Sequence, residues 1–174
     1  MPHPIDMVVD TGDKGDLWMD AIEAEKRGDR EESLRVCREL LVGEPDNSDA
    51  WMMIARMELP APTKGKQEMP SLVQTAKSVT ALKKVVQLDP ENRRAWDLGG
   101  TLLVDHLGMM EDALMWWEER RGHAPTEVTP IIEQVSILVR MGYYEECADL
   151  IEEMFSPEME SVDGGLRMRM GRVS

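Results

Sequence analysis

Phenylalanine and tyrosine are nearly absent from this 174-residue chain, with one Phe and two Tyr against five Trp and fifteen Met. A core with almost no Phe has to be filled by indoles and by flexible, polarizable thioethers, which also suit surfaces that accept varied shapes. Cysteine is as sparse. Cys37 and Cys147 are the only two, each inside an apolar helical pattern, so buried small hydrophobes are expected rather than a disulfide framework or a cysteine-held metal. Basic residues are outnumbered: 20 Lys and Arg against 34 Asp and Glu leave a net charge of −14. That argues against nucleic acid or an anionic membrane as partner, and suits a basic partner or solubility alone. No run approaches the ~18 apolar residues that span a bilayer. The first ten residues, M-P-H-P-I-D-M-V-V-D, offer neither the basic nor the apolar region of a signal peptide, so a cytoplasmic protein is expected.

What the chain does contain is a repeat. P-D-N-S-D-A-W at Pro45–Trp51 returns as P-E-N-R-R-A-W at Pro90–Trp96, each copy after an apolar helical run. Pro cannot continue a helix, whereas a polar residue such as Asn, Ser or Asp can cap the next one, and Ala-Trp then falls on its first turn. A helix-end, turn, helix-start signal used twice points to stacked helical hairpins.

Apolar spacing predicts a helix from about 16 to 27, carrying Leu17, Trp18, Ala21, Ile22 and Ala24. After a break at Gly28-Asp29, a second run passes through Ser33, Leu34, Val36, Cys37, Leu40 and Leu41. Ser48 or Asp49 is expected to cap the next helix, which ends near Glu58. Residues 59–70 hold Pro60, Pro62, Gly65 and Pro70 with Lys64 and Lys66 between them; they read as a loop whose composition suits a passive connection. Ser71 caps a long helix to Leu88. A third hairpin starts at Arg93, turns at Gly108 and returns through Trp116 and Trp117 to Gly122. A fourth runs from about Val128 to Met141, turns at Gly142 and returns through Cys147 to Phe155. Residues 1–12 are expected to be a flexible leader, 13–157 the helical domain, and 158–174 a disordered tail rich in Met and Arg. Glu118-Glu119-Arg120-Arg121 reads as a solvated helix face.

The closing prolines set a period. Pro90 to Pro125 spans 35 residues and Pro45 to Pro90 spans 45, so removing the loop at 59–70 leaves both near 34. The first hairpin offers Leu17, Ala21, Gly28, Ser33 and Pro45, and the second Trp51, Ala55, Ser78, Leu82 and Pro90. The third offers Trp96, Gly100, Gly108, Ala113 and Pro125, with one extra residue in its first helix. The fourth has Ile131, Val135, Gly142 and Cys147 but no closing Pro in place. Over roughly residues 14–157 these positions resemble the tetratricopeptide repeat family in degenerate form. The resemblance implies an all-α, right-handed solenoid of about four antiparallel helix hairpins, with a loop insertion in the second. Its recurring small residues mark where the two helices of a hairpin cross closely.

In that family the first helices of successive hairpins line a concave groove. The resemblance implies that Trp18, Ile22, Met52, Met53, Arg56, Arg94, Ile132 and Val139 face a partner there, with Asp97 and Thr101 among the polar groups. The competing reading makes Trp18 and the methionines core, since a register error of one residue exchanges groove for interior. Family members that clamp acidic chaperone tails carry Lys, Asn and Arg at positions matching Trp18, Ile22, Met53, Arg94 and Leu98. Only Arg94 keeps a suitable charge, so that clamp is absent.

No catalytic set, metal site or cofactor is expected. Asp10-Thr11-Gly12 resembles an aspartic-protease signature, but that chemistry needs two carboxylates on a β-rich scaffold. Asp10, Asp13 and Asp16 lack the alternating ligands of a calcium loop, and Arg27-Gly28-Asp29 occupies a hairpin turn. His3, His106 and His123 have no metal-ligand spacing. The expected function is a protein-interaction module, adaptor or scaffold, binding a peptide or helix in an apolar groove. The alternatives are a small acidic chaperone for a secreted or assembling client, a regulatory subunit of an enzyme complex, or an unrecognised enzyme. The last hairpin has no polar cap. Its apolar face is expected to be covered by the tail, where Leu166, Met168 and Met170 alternate with Arg167 and Arg169, by a partner, or by a second copy in a homodimer.

Overall fold

Pro–acid–Asn does the same local work twice. Asn47 accepts a side-chain hydrogen bond from the Ala50 N–H at 3.1 Å, and Asn92 accepts one from the Ala95 N–H at 3.1 Å. Asn, not the expected Ser48 or Asp49, is therefore the N-cap, because its short amide reaches the exposed N–H groups of the first turn. The Trp that follows completes the motif. Trp51 donates its indole N–H to the Pro45 carbonyl at 2.9 Å, and Trp96 donates to the Pro90 carbonyl at 2.8 Å. Trp96 is fully buried, as its place in the repeat implies, whereas Trp51 is only half-buried and is not a core residue.

The computed structural model describes the backbone of residues 3–61, 65 and 68–159, and side chains from residue 15 onward. It is built of helices, with no strand among the described residues: α1 (His3–Arg27), α2 (Arg30–Gly43), α3 (Ser48–Met57), α4 (Leu72–Leu88), α5 (Arg93–Thr101), a π-helical turn (Leu102–His106), α6 (Met110–His123), α7 (Thr129–Met141) and α8 (Tyr144–Met154). α1 begins at His3, within the segment that the sequence sets apart as a leader. Most of the insertion's tip and the tail from 160, with Leu166, Met168 and Met170, lie outside the described residues.

The chain divides into two compact units, residues 1–107 (α1–α5 and the π turn) and 108–174 (α6–α8). Their boundary falls at the predicted turn of the third hairpin. In the first unit, α1 packs on α2 and α3 on α4, with α2 and α4 also meeting their next helices. In the second, α7 packs on both α6 and α8.

Three helix crossings are clasped at the small-residue positions. Ser33 Oγ donates to the Ala21 carbonyl at 3.4 Å, and Ser78 Oγ to the Ala55 carbonyl at 2.7 Å. Cys147 Sγ lies 3.8 Å from the Val135 carbonyl. A short side chain lets the backbones approach, and its polar atom reaches the facing carbonyl. The corresponding position of the third repeat is Ala113, which carries no donor.

The extra residue in the third repeat's first helix has a structural counterpart. α5 passes into the π-helical turn, where Leu107 donates its backbone N–H to Leu102, five residues back, at 3.0 Å. A π turn absorbs one residue without breaking the helix. The hairpin turns expected at Gly28 and Gly142 hold φ of +77° and +83°, a region most side chains avoid.

Charge is not confined to the surface. Arg120 is 2% exposed and its Nε donates to Glu127 Oε2 at 2.6 Å, so one residue of the supposed solvated run is interior. Arg30 reaches from α2 to the Met57 carbonyl at 3.2 Å through Nε, satisfying the carboxyl end of α3. Both cysteines are buried and unbridged, as their pattern predicts.

Candidate functional site

The first helices of the N-terminal unit carry most of the residues nominated from sequence. On α1, Trp18 and Ile22 are half-buried and share a helix face with Glu25. On α3, Met52 is half-buried and Arg56, one turn later, is exposed. Arg56 joins the two faces by donating to Glu25 Oε2 at 3.0 and 3.2 Å. Ile22 and Met52 each stand one turn from a member of this ion pair, with Trp18 a further turn along α1, and the charge of Arg56 is already answered within the chain. Such an exposed pair adds little to stability, but it orients both side chains.

Met53 does not belong to this face. It is 1% exposed, and its sulfur accepts a hydrogen bond from Ser33 Oγ at 3.2 Å. Successive helical residues point ~100° apart, so Met52 and Met53 are directed differently from the one helix. The register ambiguity is thus resolved differently for the two: Met52 stays at the surface and Met53 packs inside.

α5 continues the pattern with Arg94 exposed, Leu98 half-buried and Thr101 exposed along one face. Leu98 and Thr101 also line a cavity of about 280 Å3 that sequence reasoning missed. The rest of its lining comes from both stems of the insertion, through Leu59, Pro60, Met69 and Pro70, and from Leu102 and His106 of the π turn. The stems of the insertion thus build a concavity with α5. Two signals pointed here without being combined: an extra residue in the third repeat, and apolar–proline pairs at both ends of the loop.

Ile132 and Val139 lie on α7 in the C-terminal unit, the first half-buried and the second 45% exposed. This unit has its own cleft, of about 360 Å3, between α6, α7 and α8. Its apolar lining is Leu114, Met115, Leu138 and Leu150, with Glu118 and Glu146 at its edge. Gln134 is 5% exposed and donates to Glu118 Oε2 at 2.8 Å, while its own amide oxygen finds no donor. Arg121 bridges Glu118 at 3.4 Å and also pairs with Glu153.

Neither cysteine has the character of a nucleophile. Burial pushes the Cys37 thiol up to about 11, and desolvation raises Cys147 as well. Among the described residues, no cluster of His, Cys, Asp and Glu is arranged to hold a metal ion. No helix there is long and apolar enough to cross a membrane.

No family model and no curated protein matches the sequence. Solved structures do match the fold. MamA from Desulfovibrio magneticus RS-1 (residues 41 to the end) shares 17% identity over 81% of this chain and 73% of its own, with a TM-score of 0.55. A structure described as MamA AMB-1 shares 19% identity over 85% of this chain and 74% of its own, with a TM-score of 0.56. A further MamA crystal structure shares 13% over 77% and 71%, at 0.54. Identities this low speak to fold alone, and the fold they share with this chain is the tetratricopeptide-like helical repeat expected from its residues.

Proposed function

We propose that this chain is a protein-interaction module whose N-terminal unit takes a peptide or helix on the face shared by α1, α3 and α5. The observation that supports this most directly is the set Trp18, Ile22 and Met52. All three are large and apolar, yet only half-buried, along the helix faces that carry the Glu25–Arg56 pair. Each has apolar surface left to cover, and fully burying such a side chain is worth roughly 1.5–3 kcal/mol before association costs. Three together suit micromolar capture of a segment with apolar anchors. Arg94 and Thr101 offer polar contacts on the same face of α5, and the cavity at the insertion stems suits one further anchor.

The roles follow from chemistry. Trp18 and Met52 supply adaptable apolar contact, Ile22 a stiffer one, and the Glu25–Arg56 pair both a donor and an acceptor at the edge. Met53 acts indirectly, by holding α3 against Ser33.

The test is capture of partners from source lysate by the native chain and by the Trp18→Glu, Met52→Glu double variant, with helicity followed by circular dichroism. The reading requires that specific partners be lost while helicity is kept. Partners retained by a folded double variant would rule the face out.

A further inference from the structure

The cleft of the C-terminal unit has an electrostatic character that its counterpart in the N-terminal unit lacks. Both clefts lie at the same register of the repeat, between successive second helices and the first helix between them. In the N-terminal unit the charged lining is Arg38, Glu58 and Lys77, with Arg38 already paired to Glu58 at 2.8 Å. In the C-terminal unit it is Glu118, Glu146 and Arg121, and Arg121 is held by two carboxylates.

The surroundings deepen the contrast. Residues 108–159 carry 12 Asp and Glu against three arginines and no lysine. One of those arginines, Arg120, is interior and committed to Glu127. On α8, Glu145, Glu146, Asp149, Glu152 and Glu153 are all exposed, with no basic residue on the helix. Beside them stand exposed apolar groups: Met115 is 65% exposed and Ile151 37%. An apolar cleft whose rim carries more carboxylates than cations is complementary to one kind of occupant.

We infer that the α6–α7–α8 cleft docks a cationic amphipathic segment of a protein partner. Its apolar side chains enter between Leu114, Met115, Leu138 and Leu150, and its lysines or arginines meet Glu146 and the carboxylates of α8. This surface belongs to the C-terminal unit and is independent of the α1–α3–α5 face.

A fluorescent synthetic helix of alternating Leu and Lys faces tests the proposal on the full chain. Glu146→Lys and Met115→Ser alter exposed side chains and leave the interior intact. Each is expected to weaken the probe roughly tenfold. A parallel variant, Glu31→Gln with Glu39→Gln in the N-terminal unit, is expected to leave affinity unchanged. Raising salt from ~0.05 to ~0.5 M should weaken binding by a similar factor, and a probe with Ser in place of Leu should not bind. Absence of binding by the Leu/Lys probe would overturn the proposal, as would equal losses from the N-terminal variant, which would reduce it to diffuse charge. Tighter probe binding after replacing Arg167, Arg169 and Arg172 by Ser would show the chain's own tail to be the occupant. Dimerisation abolished by Glu146→Lys would show a second copy to be.

Discussion

Trp96 donates its indole N–H to the carbonyl of Pro90 at 2.8 Å, and Trp51 stands in the same relation to Pro45 at 2.9 Å. The prolines that end one helix are thereby tied to the first turn of the next, so the interhelix angle is held by a local bond six residues long. The two copies differ in environment, which makes them a natural comparison.

Trp96→Phe keeps an aromatic ring but removes the donor and part of the volume of a fully buried side chain. The expected cost is about 1–2 kcal/mol, and Trp96→Ala should cost about 3–5 kcal/mol. Trp51→Phe, at a half-buried site, should cost well under half as much as Trp96→Phe. Urea midpoints of the three variants measure the ordering.

The clasp between α3 and α4 is testable at Ser78, whose hydroxyl donates to the Ala55 carbonyl at 2.7 Å. Ser78→Ala should lose about 1–3 kcal/mol, because the Leu59 N–H turns to the Arg56 carbonyl and the buried Ala55 carbonyl loses this donor. Ser78→Leu should lose more still, since overpacking that forces the crossing apart adds to the lost hydrogen bond. If thermal melting ranks the two the other way, the crossing is looser than its geometry indicates.

Glu127→Ala removes the carboxylate paired with the interior Arg120 guanidinium, and breaking a buried pair in this way costs about 3–5 kcal/mol. The loss should fall on the C-terminal unit. Hydrogen exchange is the suitable measurement: amides of α6 and α7 should lose protection while those of α2 and α4 keep theirs.

Burial raises the Cys37 thiol from 9.0 to about 11. Below 9.0 both the folded and the unfolded chain hold this proton, so the full contribution to stability is present there. Between 9.0 and about 11 the unfolded chain releases the proton first and stability falls as pH rises. Cys147 contributes in the same direction. Melting temperatures should therefore decline over this window, and Cys37→Ala should flatten the decline. A thiol reagent at neutral pH should label the folded chain slowly and the denatured chain fast.

Local chemistry made much of the fold legible. Asn47 and Asn92 cap, Gly28 and Gly142 turn, and Ser33, Ser78 and Cys147 sit where helices cross, all within a few residues of the signals that announce them. The proposed face was legible only in part. Trp18, Ile22, Met52 and Arg56 stand on surfaces that the repeat register implies, but Met53 is core, because one residue of rotation separates a surface thioether from a buried one. Arg120 was misplaced for a related reason: its partner Glu127 lies beyond the helix end, where periodicity carries no information. The cavity at Leu98 and Thr101 escaped notice because its lining comes from two segments some thirty residues apart in the chain.

The sequence by itself determined the helical repeat, its turns and its acidity. These depend on contacts within about one hairpin, and propensity, capping and period act at that range. Only the tertiary structure decided which methionine faces out and that Glu25 would neutralise Arg56. It also decided that an extra residue would become a π turn beside the insertion stems, and that Leu114, Leu138 and Leu150 would meet under a rim of carboxylates. Those outcomes depend on how residues far apart in the chain are rotated and brought together, which is settled only when the helices pack.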